Sequence, residues 1–185
     1  MSGLRQGSPV SPSAGKRPTE CTVKALETED ELRQKILLEQ QAWQEAYGSG
    51  RDPIPAAAFE HKAREEAGNT LIAVSGSRIV GYACYRQCPD RDLIITGEIR
   101  DLYVLPVCRR CGIGRKLLQA SMDKLDIYPR IAVWVPDENG GAAAFFSRFG
   151  FAFDGETDMK WVGRICDESR MLLERKRRGE RHPFR

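Results

Sequence analysis

Residues 102–118 read LYVLPVCRRCGIGRKLL. The apolar run at the start ends at Pro106, which lacks the N–H that a strand ladder needs. Behind it, Gly112 and Gly114 let the main chain come close to a ligand, and the leucines that follow open a helix whose first N–H groups have no partner within the helix. Three arginines surround the glycines: Arg109, Arg110 and Arg115. Because a helix N-terminus is positive, the stretch predicts a strand, an anion-binding loop and a helix.

The loop taken alone has a second interpretation, which is a tight turn with solvated arginines. Two familiar phosphate loops do not fit it, because G-x-G-x-x-G is absent and no Gly-Lys-Ser/Thr triplet follows. Its context therefore matters. A second segment about 25 residues further on reads Val135-x-x-x-Asn139-x-x-Ala142, then Phe145-Phe146, then Gly150-Phe151.

The rest of the chain alternates between strand and helix patterns. Thr28-x-x-Glu31 has the form of a capping box and predicts a helix that ends at Gly48. The predicted strands are 21–26, 70–74, 79–86, 93–105, 130–135, 151–162 and 169–173, and four helices lie between them. The resulting order, βααβββαβαββ, predicts a mixed sheet with helices on both faces.

The two quoted segments resemble the GNAT superfamily of acyl-CoA-dependent N-acetyltransferases. The first is similar to the family's strand, R/Q-x-x-G-x-G/A loop and helix, and the second to a later strand and helix. The resemblance extends from about Cys21 to Leu173. It implies an α/β fold of the mixed α+β type, with a central, mostly antiparallel sheet, splayed central strands and helices on both faces. It also implies acetyl-CoA as the acyl donor and no metal.

The resemblance implies a role for each residue that matches the family's motifs. Main-chain groups of Leu102, Tyr103 and Val104 would hydrogen-bond the pantetheine arm as an added strand would. The residues expected around the pyrophosphate are Arg109, Arg110, Cys111, Gly112, Ile113, Gly114 and Arg115. Asn139 and the helix with Phe146 would flank the thioester, in the gap where the strands ending near Val104 and Val135 separate.

Transfer of an acetyl group to an amine needs a base and a donor to the developing oxyanion. We predict that Glu98 is the base, because it lies eleven residues before Arg109, the spacing found in histone-acetylating relatives. Partial burial would raise its pKa. The alternative is an ordinary strand carboxylate paired with Arg100 or a neighbour; Asp101, on the opposite face by strand alternation, is then the fallback base. The resemblance implies that a bulge at the strand end frees the N–H of Val104, which is the predicted oxyanion contact.

The sequence departs from the family at the general acid. Many relatives carry a tyrosine where this chain has Phe146, whose ring cannot protonate a thiolate. Water or Ser147 then supplies the proton, or CoA leaves as the thiolate. A further alternative is weak catalysis in a protein that mainly binds acyl-CoA.

The predicted acceptor is a primary amine of a small molecule or peptide, with protein Nα or Lys acetylation as the alternative. Four side chains of the first two helices and their connection are available to hold a cationic amine: Tyr47, Asp52, Glu60 and His61. The alternatives are a surface histidine for His61 and a core position for Tyr47. A rival interpretation is a regulatory acyl-CoA-binding module whose basic C-terminal cluster touches nucleic acid or an acidic protein.

Charge divides the 185 residues into three predicted parts. Residues 1–19 are a disordered leader rich in Ser, Gly and Pro, residues 20–174 form the N-acetyltransferase domain, and residues 175–185 are a basic tail. Without the two tails the net charge of +3 becomes −5, so no nucleic acid is expected on the domain. The sequence has neither a membrane span nor a signal peptide, which predicts a cytoplasmic protein without a membrane partner. Because many relatives are dimers, a homodimer is compatible with the resemblance.

The six cysteines are expected to be reduced thiols in a cytoplasmic protein. The pairs Cys84-x3-Cys88 and Cys108-x2-Cys111 can be written as a zinc site, but an intervening strand would separate Cys88 from Cys108 by roughly 40 Å. Near the arginines and the helix start, the thiols of Cys108 and Cys111 are predicted to have lowered pKa values. A reversible disulfide between them that blocks CoA is a hypothesis.

Overall fold

The computed structural model describes residues 20–47, 54–90, 92–93, 95–161 and 165–175, and the predicted leader lies outside them. Within these residues the predicted element order is confirmed. The strands are β1 (Thr22–Ala25), β2 (Thr70–Ser75), β3 (Arg78–Gln87), β4 (Thr96–Val104), β5 (Arg130–Pro136), β6 (Ala152–Trp161) and β7 (Ile165–Glu174). The helices are α1 (Glu29–Tyr47), α2 (Ala56–Glu66), α3 (Ile113–Lys124) and α4 (Gly140–Ser147). Each described helix is too short or too polar to cross a lipid bilayer.

Helix α1 begins at the predicted capping box. The Glu31 N–H donates to Thr28 Oγ1 at 3.2 Å, and the Thr28 N–H donates to the Glu31 carboxylate at 3.1 Å. Lys24 on β1 also binds this carboxylate, at 2.6 Å. The capping box therefore provides hydrogen-bond partners for main-chain N–H groups at the start of α1, and the ion pair with Lys24 connects the helix to β1.

The strands form one sheet in the order β1-β2-β3-β4-β5-β7-β6. All neighbours are antiparallel except β4 and β5, which run parallel. These two strands pair only from Thr96 to Glu98, opposite Arg130 to Ala132, and then diverge. The predicted mostly antiparallel sheet with splayed central strands is confirmed.

A β-bulge interrupts β4 at Arg100. Cys84 on β3 pairs with Asp101, whereas the next residue, Tyr85, pairs with Ile99. Arg100 therefore has no paired residue on β3. Because the bulge adds one residue, Asp101 and Glu98 lie on the same face of the sheet. The prediction that they lie on opposite faces is wrong, since it assumed uninterrupted alternation.

Helices cover both faces of the sheet. Tyr82 and Cys84 pack in one apolar cluster with Leu38 of α1. Ala83, which lies between them and points to the other face, packs with Leu117 of α3. A third cluster joins α3 and α4 to the far half of the sheet on this second face. The predicted arrangement with helices on both faces is therefore confirmed.

Two strand boundaries differ from the prediction. β4 begins at Thr96 rather than at residue 93, because Leu93 packs separately with Cys88 and Ala132. β7 begins at Ile165 rather than at residue 169, because its first residues extend a hairpin with β6 beyond the edge of β5. Pairing with another strand, which the local sequence does not encode, sets both ends.

Arg175, the first residue of the predicted basic tail, lies within the described residues. Arg175 donates to the carbonyl of Leu125 at 3.0 Å and to that of Met122 at 2.6 Å, so it binds the C-terminal end of α3. A cation is favourable there because the last carbonyls of a helix have no helical partner. Residues 176–185 lie outside the described residues.

Candidate active site

A cavity of about 800 Å³ lies where β4 and β5 diverge. Ten of the twelve predicted cofactor contacts line it: Leu102, Tyr103, Val104, Arg109, Arg110, Gly112, Gly114, Arg115, Asn139 and Phe146. The predicted contacts Cys111 and Ile113 do not line it, and neither does the predicted base Glu98. The cavity thus joins the end of β4, the loop before α3 and the start of α4.

The loop before α3 has the backbone of an anion site. Gly112, the N-cap residue, has φ = 80° and provides no side chain to cap the first turn. Arg110 also has a positive φ, 64°, which is uncommon for a residue other than glycine. Left-handed residues of this kind occur in the concave main-chain nests that bind anions. The Ile113 side chain is only 2% exposed and packs in the core, so it anchors the helix start rather than facing the cavity.

The end of β4 presents main-chain groups to the cavity. The Leu105 N–H donates to the Val80 carbonyl at 2.9 Å on the β3 side. Because an antiparallel ladder uses alternate residues, the main-chain groups of Leu102 and Val104 point away from β3. This is the edge at which the sequence predicts the pantetheine arm. The Val104 N–H is free of β3 because of strand alternation. The bulge of β4 is not the cause, because it lies at Arg100 and not at the strand end.

Arg109 reaches across the mouth of the cavity. Its Nε donates to the Val104 carbonyl at 2.9 Å, and its guanidinium forms an ion pair with Glu45 of α1 at 2.5 Å. The Tyr103 hydroxyl donates to the other oxygen of the Glu45 carboxylate at 3.0 Å. Burial, and then the hydrogen bond with Glu45, raise the pKa of Tyr103 to about 12. The phenol is therefore a hydrogen-bond donor at neutral pH.

The predicted base Glu98 lies at the vertex of the diverging strands. It is 4% exposed, opposite Ala132 in the last pair of the β4–β5 ladder. Its carboxylate binds Arg86, and not Arg100, which binds Glu66 at 3.0 Å. A proton from an amine in the cavity would need a relay such as water to reach it. Its catalytic role stays a prediction.

Helix α4 contributes the apolar residues Ala142, Phe145 and Phe146 to the cavity, and its N-cap residue Asn139 contributes a polar side chain. Phe146 is 5% exposed and packs edge-on against Phe151, so it is held by the core. The Asn139 side-chain oxygen accepts a hydrogen bond from the Ala142 N–H at 3.0 Å and caps the helix. Ser147, the hydroxyl considered for the general acid, is exposed and does not line the cavity.

A network of charged side chains joins α1 and α2 to the bulge of β4. Its members, called here the charge cluster, are Lys35, Glu39, Lys62, Glu66, Arg100 and Asp101. Lys35 is fully buried, and the Lys62 ammonium bridges Glu39 and Asp101, the latter at 3.0 Å. Burial by itself raises the pKa of Asp101, but Lys62, together with Lys35 and Arg100, outweighs it and the pKa lies below its usual range. Asp101 is therefore an ionised structural partner, which counts against it as the fallback base.

Two carboxylates of the charge cluster and the neighbouring Cys84 thiol have the spacing of a metal site. Ligand atoms of Glu66, Cys84 and Asp101 all lie within 4.8 Å of one another. Burial raises the pKa of the Cys84 thiol well above neutral pH, and both carboxylates already bind lysine or arginine side chains. In the structure the two carboxylates are thus paired with cationic side chains.

The two cysteines of the loop differ in burial: Cys108 is buried in the core, whereas Cys111 is partly buried and packs against the same cluster. Burial raises the pKa of Cys108, so its predicted lowering is wrong. The cause is that Cys108 packs beneath α3 with Leu117 instead of facing the arginines. Cys88 packs on the other face of the sheet with Ala132, so the pairs Cys84/Cys88 and Cys108/Cys111 lie apart. All six cysteines are free thiols.

Sequence reasoning missed the contribution of α1 to the cavity. Glu45 lines it, yet nothing in the local sequence distinguishes this residue from the other acids of the helix. Of the residues expected to hold the acceptor, Glu60 and His61 are exposed and pair with Arg64 and Glu65 along α2. The expected Asp52 and the side chain of Tyr47 lie outside what the structure describes.

Residues 36–151 match the model of the acetyltransferase (GNAT) family. The match covers more than half of the chain, from α1 through α4, and includes every residue that lines the cavity except Cys166.

Two curated proteins are similar over about half of this chain. The mycothiol acetyltransferase of Acidimicrobium ferrooxidans is 34% identical over 98 residues, which are 51% of this chain and 31% of that protein. The peptidyl-lysine N-acetyltransferase YjaB of Escherichia coli (strain K12) is 28% identical over 80 residues, or 43% of this chain and 52% of that protein. The chain thus spans about a third and about half of the lengths of these relatives.

Among solved structures, a chain of the NatC complex bound to Gag peptide and CoA superposes with a TM-score of 0.67. It is 22% identical, and the superposition covers 85% of this chain and all of that chain. At this identity the likeness concerns the fold.

Proposed function

The chain belongs to the acetyltransferase (GNAT) family, and on this premise we propose that it transfers an acetyl group from acetyl-CoA to a primary amine of a small molecule or peptide. The observation that carries the proposal is the joint position of two groups at one cavity. The uncapped start of α3 with its arginines lies at one end, and the free main-chain edge of Leu102 and Val104 continues from it.

These groups account for how the donor would be held. The main-chain N–H groups after Gly112, with Arg110 and Arg115, supply the positive charge that a diphosphate needs. The edge of Leu102 and Val104 supplies the donors and acceptors that match the amides of pantetheine. The apolar side chain of Phe146 would then cover the arm near the thioester.

The chemical step would be direct attack of the neutral amine on the thioester carbon. A C–N bond forms, the C–S bond breaks, and the Val104 N–H stabilises the oxyanion between these events. We assign the amine proton to Glu98 through a water relay, because its carboxylate does not line the cavity itself. CoA leaves as the thiolate, since Phe146 cannot donate a proton and Ser147 faces solvent.

Turnover of acetyl-CoA with a panel of amines tests the proposal, with release of the CoA thiol as the measurement. Glu98→Gln is expected to lower kcat by roughly 100-fold or more, the usual contribution of a general base. Asp101→Asn tests the fallback base on the same face. Absence of turnover and of CoA binding in the unmodified protein would overturn the proposal, whereas unchanged kcat in Glu98→Gln would remove only the role of Glu98.

A protein or peptide lysine is the second candidate acceptor. The name of the Escherichia coli relative, a peptidyl-lysine N-acetyltransferase, supports it. Peptides with a free N-terminus or with a lysine side chain belong in the same panel, and the acceptor with the highest kcat/KM decides between the two.

The rival binding module makes a different prediction about the tail. Deleting residues 176–185 keeps Arg175 and its hydrogen bonds to the C-terminal end of α3. An enzyme retains its turnover after this deletion, whereas an electrostatic binder loses its salt-sensitive affinity for nucleic acid. The expected cytoplasmic location and homodimer are also part of the proposal, and light scattering coupled to size-exclusion chromatography measures the oligomeric state.

A further inference from the structure

We propose that Glu45 sets the affinity for acetyl-CoA by competing with its diphosphate for the Arg109 guanidinium. The inference rests on the proposed function and adds an affinity-determining residue from α1 to the site. No motif in the sequence points to this residue.

The contacts of Arg109 are what suggest a competition. Its guanidinium binds Glu45 at 2.5 Å and donates from Nε to the Val104 carbonyl at 2.9 Å, while its carbon lies 5.6 Å from the centre of the Tyr103 ring. The side chain is thus held at three points toward the strand end. The main chain of Arg109, in contrast, belongs to the loop expected to surround the diphosphate.

The same arrangement engages a group that the pantetheine arm would use. The carbonyl of Val104 is one of the main-chain acceptors that face the gap, and Arg109 occupies one of its bonding directions. A diphosphate that binds Arg109 therefore has to exchange with the Glu45 carboxylate, and withdrawal of the guanidinium also releases the Val104 carbonyl. The same movement of Arg109 would thus free its guanidinium for the diphosphate and the Val104 carbonyl for the pantetheine arm.

Tyr103 keeps the competing carboxylate in place. Its hydroxyl donates to Glu45 at 3.0 Å, and its ring is 9% exposed between the sheet and α1. The phenol therefore holds Glu45 toward Arg109 whether or not the guanidinium stays there. After the exchange, the Glu45 carboxylate would remain at the cavity wall.

The expected size of the effect is small, because the pair is half exposed. The Arg109 and Glu45 side chains are 43% and 38% exposed, so water and salt screen their attraction. Such pairs contribute at most about 1 kcal/mol, and removing the competitor should tighten CoA binding by about two- to fivefold.

A double-mutant cycle tests the competition by calorimetric titration with CoA. We expect Glu45→Gln to lower Kd by this factor in the otherwise unmodified protein and by a clearly smaller factor when Arg109 is also replaced by Gln. Glu138→Gln is the matched control, because it removes another carboxylate from the same cavity wall. Glu138→Gln should tighten CoA binding less than Glu45→Gln does, and by the same factor in the unmodified protein and in the Arg109→Gln variant. Tyr103→Phe, which removes only the hydrogen bond to Glu45, should tighten binding by a smaller factor.

The outcomes separate this inference from the proposed function. If the unmodified protein gives no heat with CoA, the function and the inference fall together. If it binds CoA and Glu45→Gln leaves Kd unchanged or raises it, the inference alone is wrong. Equal tightening with and without Arg109 would also overturn it, because the effect would then be one of general charge. Thermal unfolding of each variant identifies any loss of fold.

Discussion

The main chain of Gly81 on β3 runs so close to that of Tyr103 on β4 that a β-carbon on Gly81 would lie 2.7 Å from the Tyr103 carbonyl oxygen. The same β-carbon would come within 3.3 Å of the Leu117 and Val104 side chains. The end of β4 that lines the cavity can therefore lie this close to β3 only because Gly81 has no side chain.

Gly81→Ala is accordingly expected to lower the free energy of unfolding by about 1–3 kcal/mol, since the backbone of β4 has to move. Urea unfolding measures the loss. Gly68→Ala is the control, because a β-carbon there meets no atom within 4 Å, and we expect a change of less than about 0.5 kcal/mol. Equal effects at both positions would contradict the proposed close approach.

The two glycines of the loop before α3 should respond in opposite directions to alanine. Gly112 has φ = 80°, so Gly112→Ala is expected to cost about 1–2 kcal/mol of stability. At Gly114 a β-carbon would make only an ordinary contact, 3.5 Å from the Phe145 ring, and alanine is the better helix former. Gly114→Ala should leave stability unchanged or raise it by about 0.5–1 kcal/mol. Thermal unfolding of the two variants checks the contrast, and a loss of stability in Gly114→Ala would refute it.

The capping box of α1 makes part of the stability depend on pH. The hydrogen bond to Lys24, followed by those from the Glu27 and Thr28 N–H groups, lowers the pKa of Glu31 from 4.5 to about 2. Because the folded-state pKa is depressed, this contribution is complete above the unfolded-state value and is lost as pH falls from about 4.5 toward 2.

Glu31→Gln keeps the capping hydrogen bonds but removes the charge. The free energy of unfolding, measured by urea denaturation from pH 2 to 7, should therefore fall less steeply below pH 4.5 in this variant than in the unmodified protein. If the two curves remain parallel, Glu31 is not the titrating group.

Buried and exposed ion pairs between α1 and α2 should differ in their contributions. Lys35 is fully buried between Glu39 and Glu66, so Lys35→Met leaves carboxylates with one cation fewer. We expect a loss of about 3 kcal/mol of stability. The control is Arg64→Met, which breaks a pair with Glu29 in which both side chains are about half exposed. That change should cost no more than about 1 kcal/mol. Chemical denaturation measures both, and comparable costs would show that the charge cluster is not a buried network.

The features that could be predicted from the sequence are those encoded by neighbouring residues. The capping box of Thr28 and Glu31 involves residues three apart, and the loop before α3 is specified by two glycines within three positions. Apolar periodicity was enough for the element order. Resemblance to the family added the splayed strands, which no periodicity encodes.

The features that were missed depend on residues distant in sequence. Glu45 and Arg109 are separated by more than sixty positions, and the partners of Lys62 come from α1 and β4. The bulge at Arg100 carries no glycine or proline that would mark it, and it reversed the predicted facing of Asp101. Long charged side chains of α1 and α2 look like solvated surface residues until the sheet beneath them is known.

The divergence of β4 from β5 has a consequence for the exchange of amide hydrogens. Directly after β4, the Leu105 N–H donates a hydrogen bond to Val80 of β3. The N–H groups of Leu102 and Val104 instead face the gap between β4 and β5. Deuterium should therefore enter Leu102 and Val104 sooner than Leu105. A molecule that pairs with this edge as a strand would remove the difference.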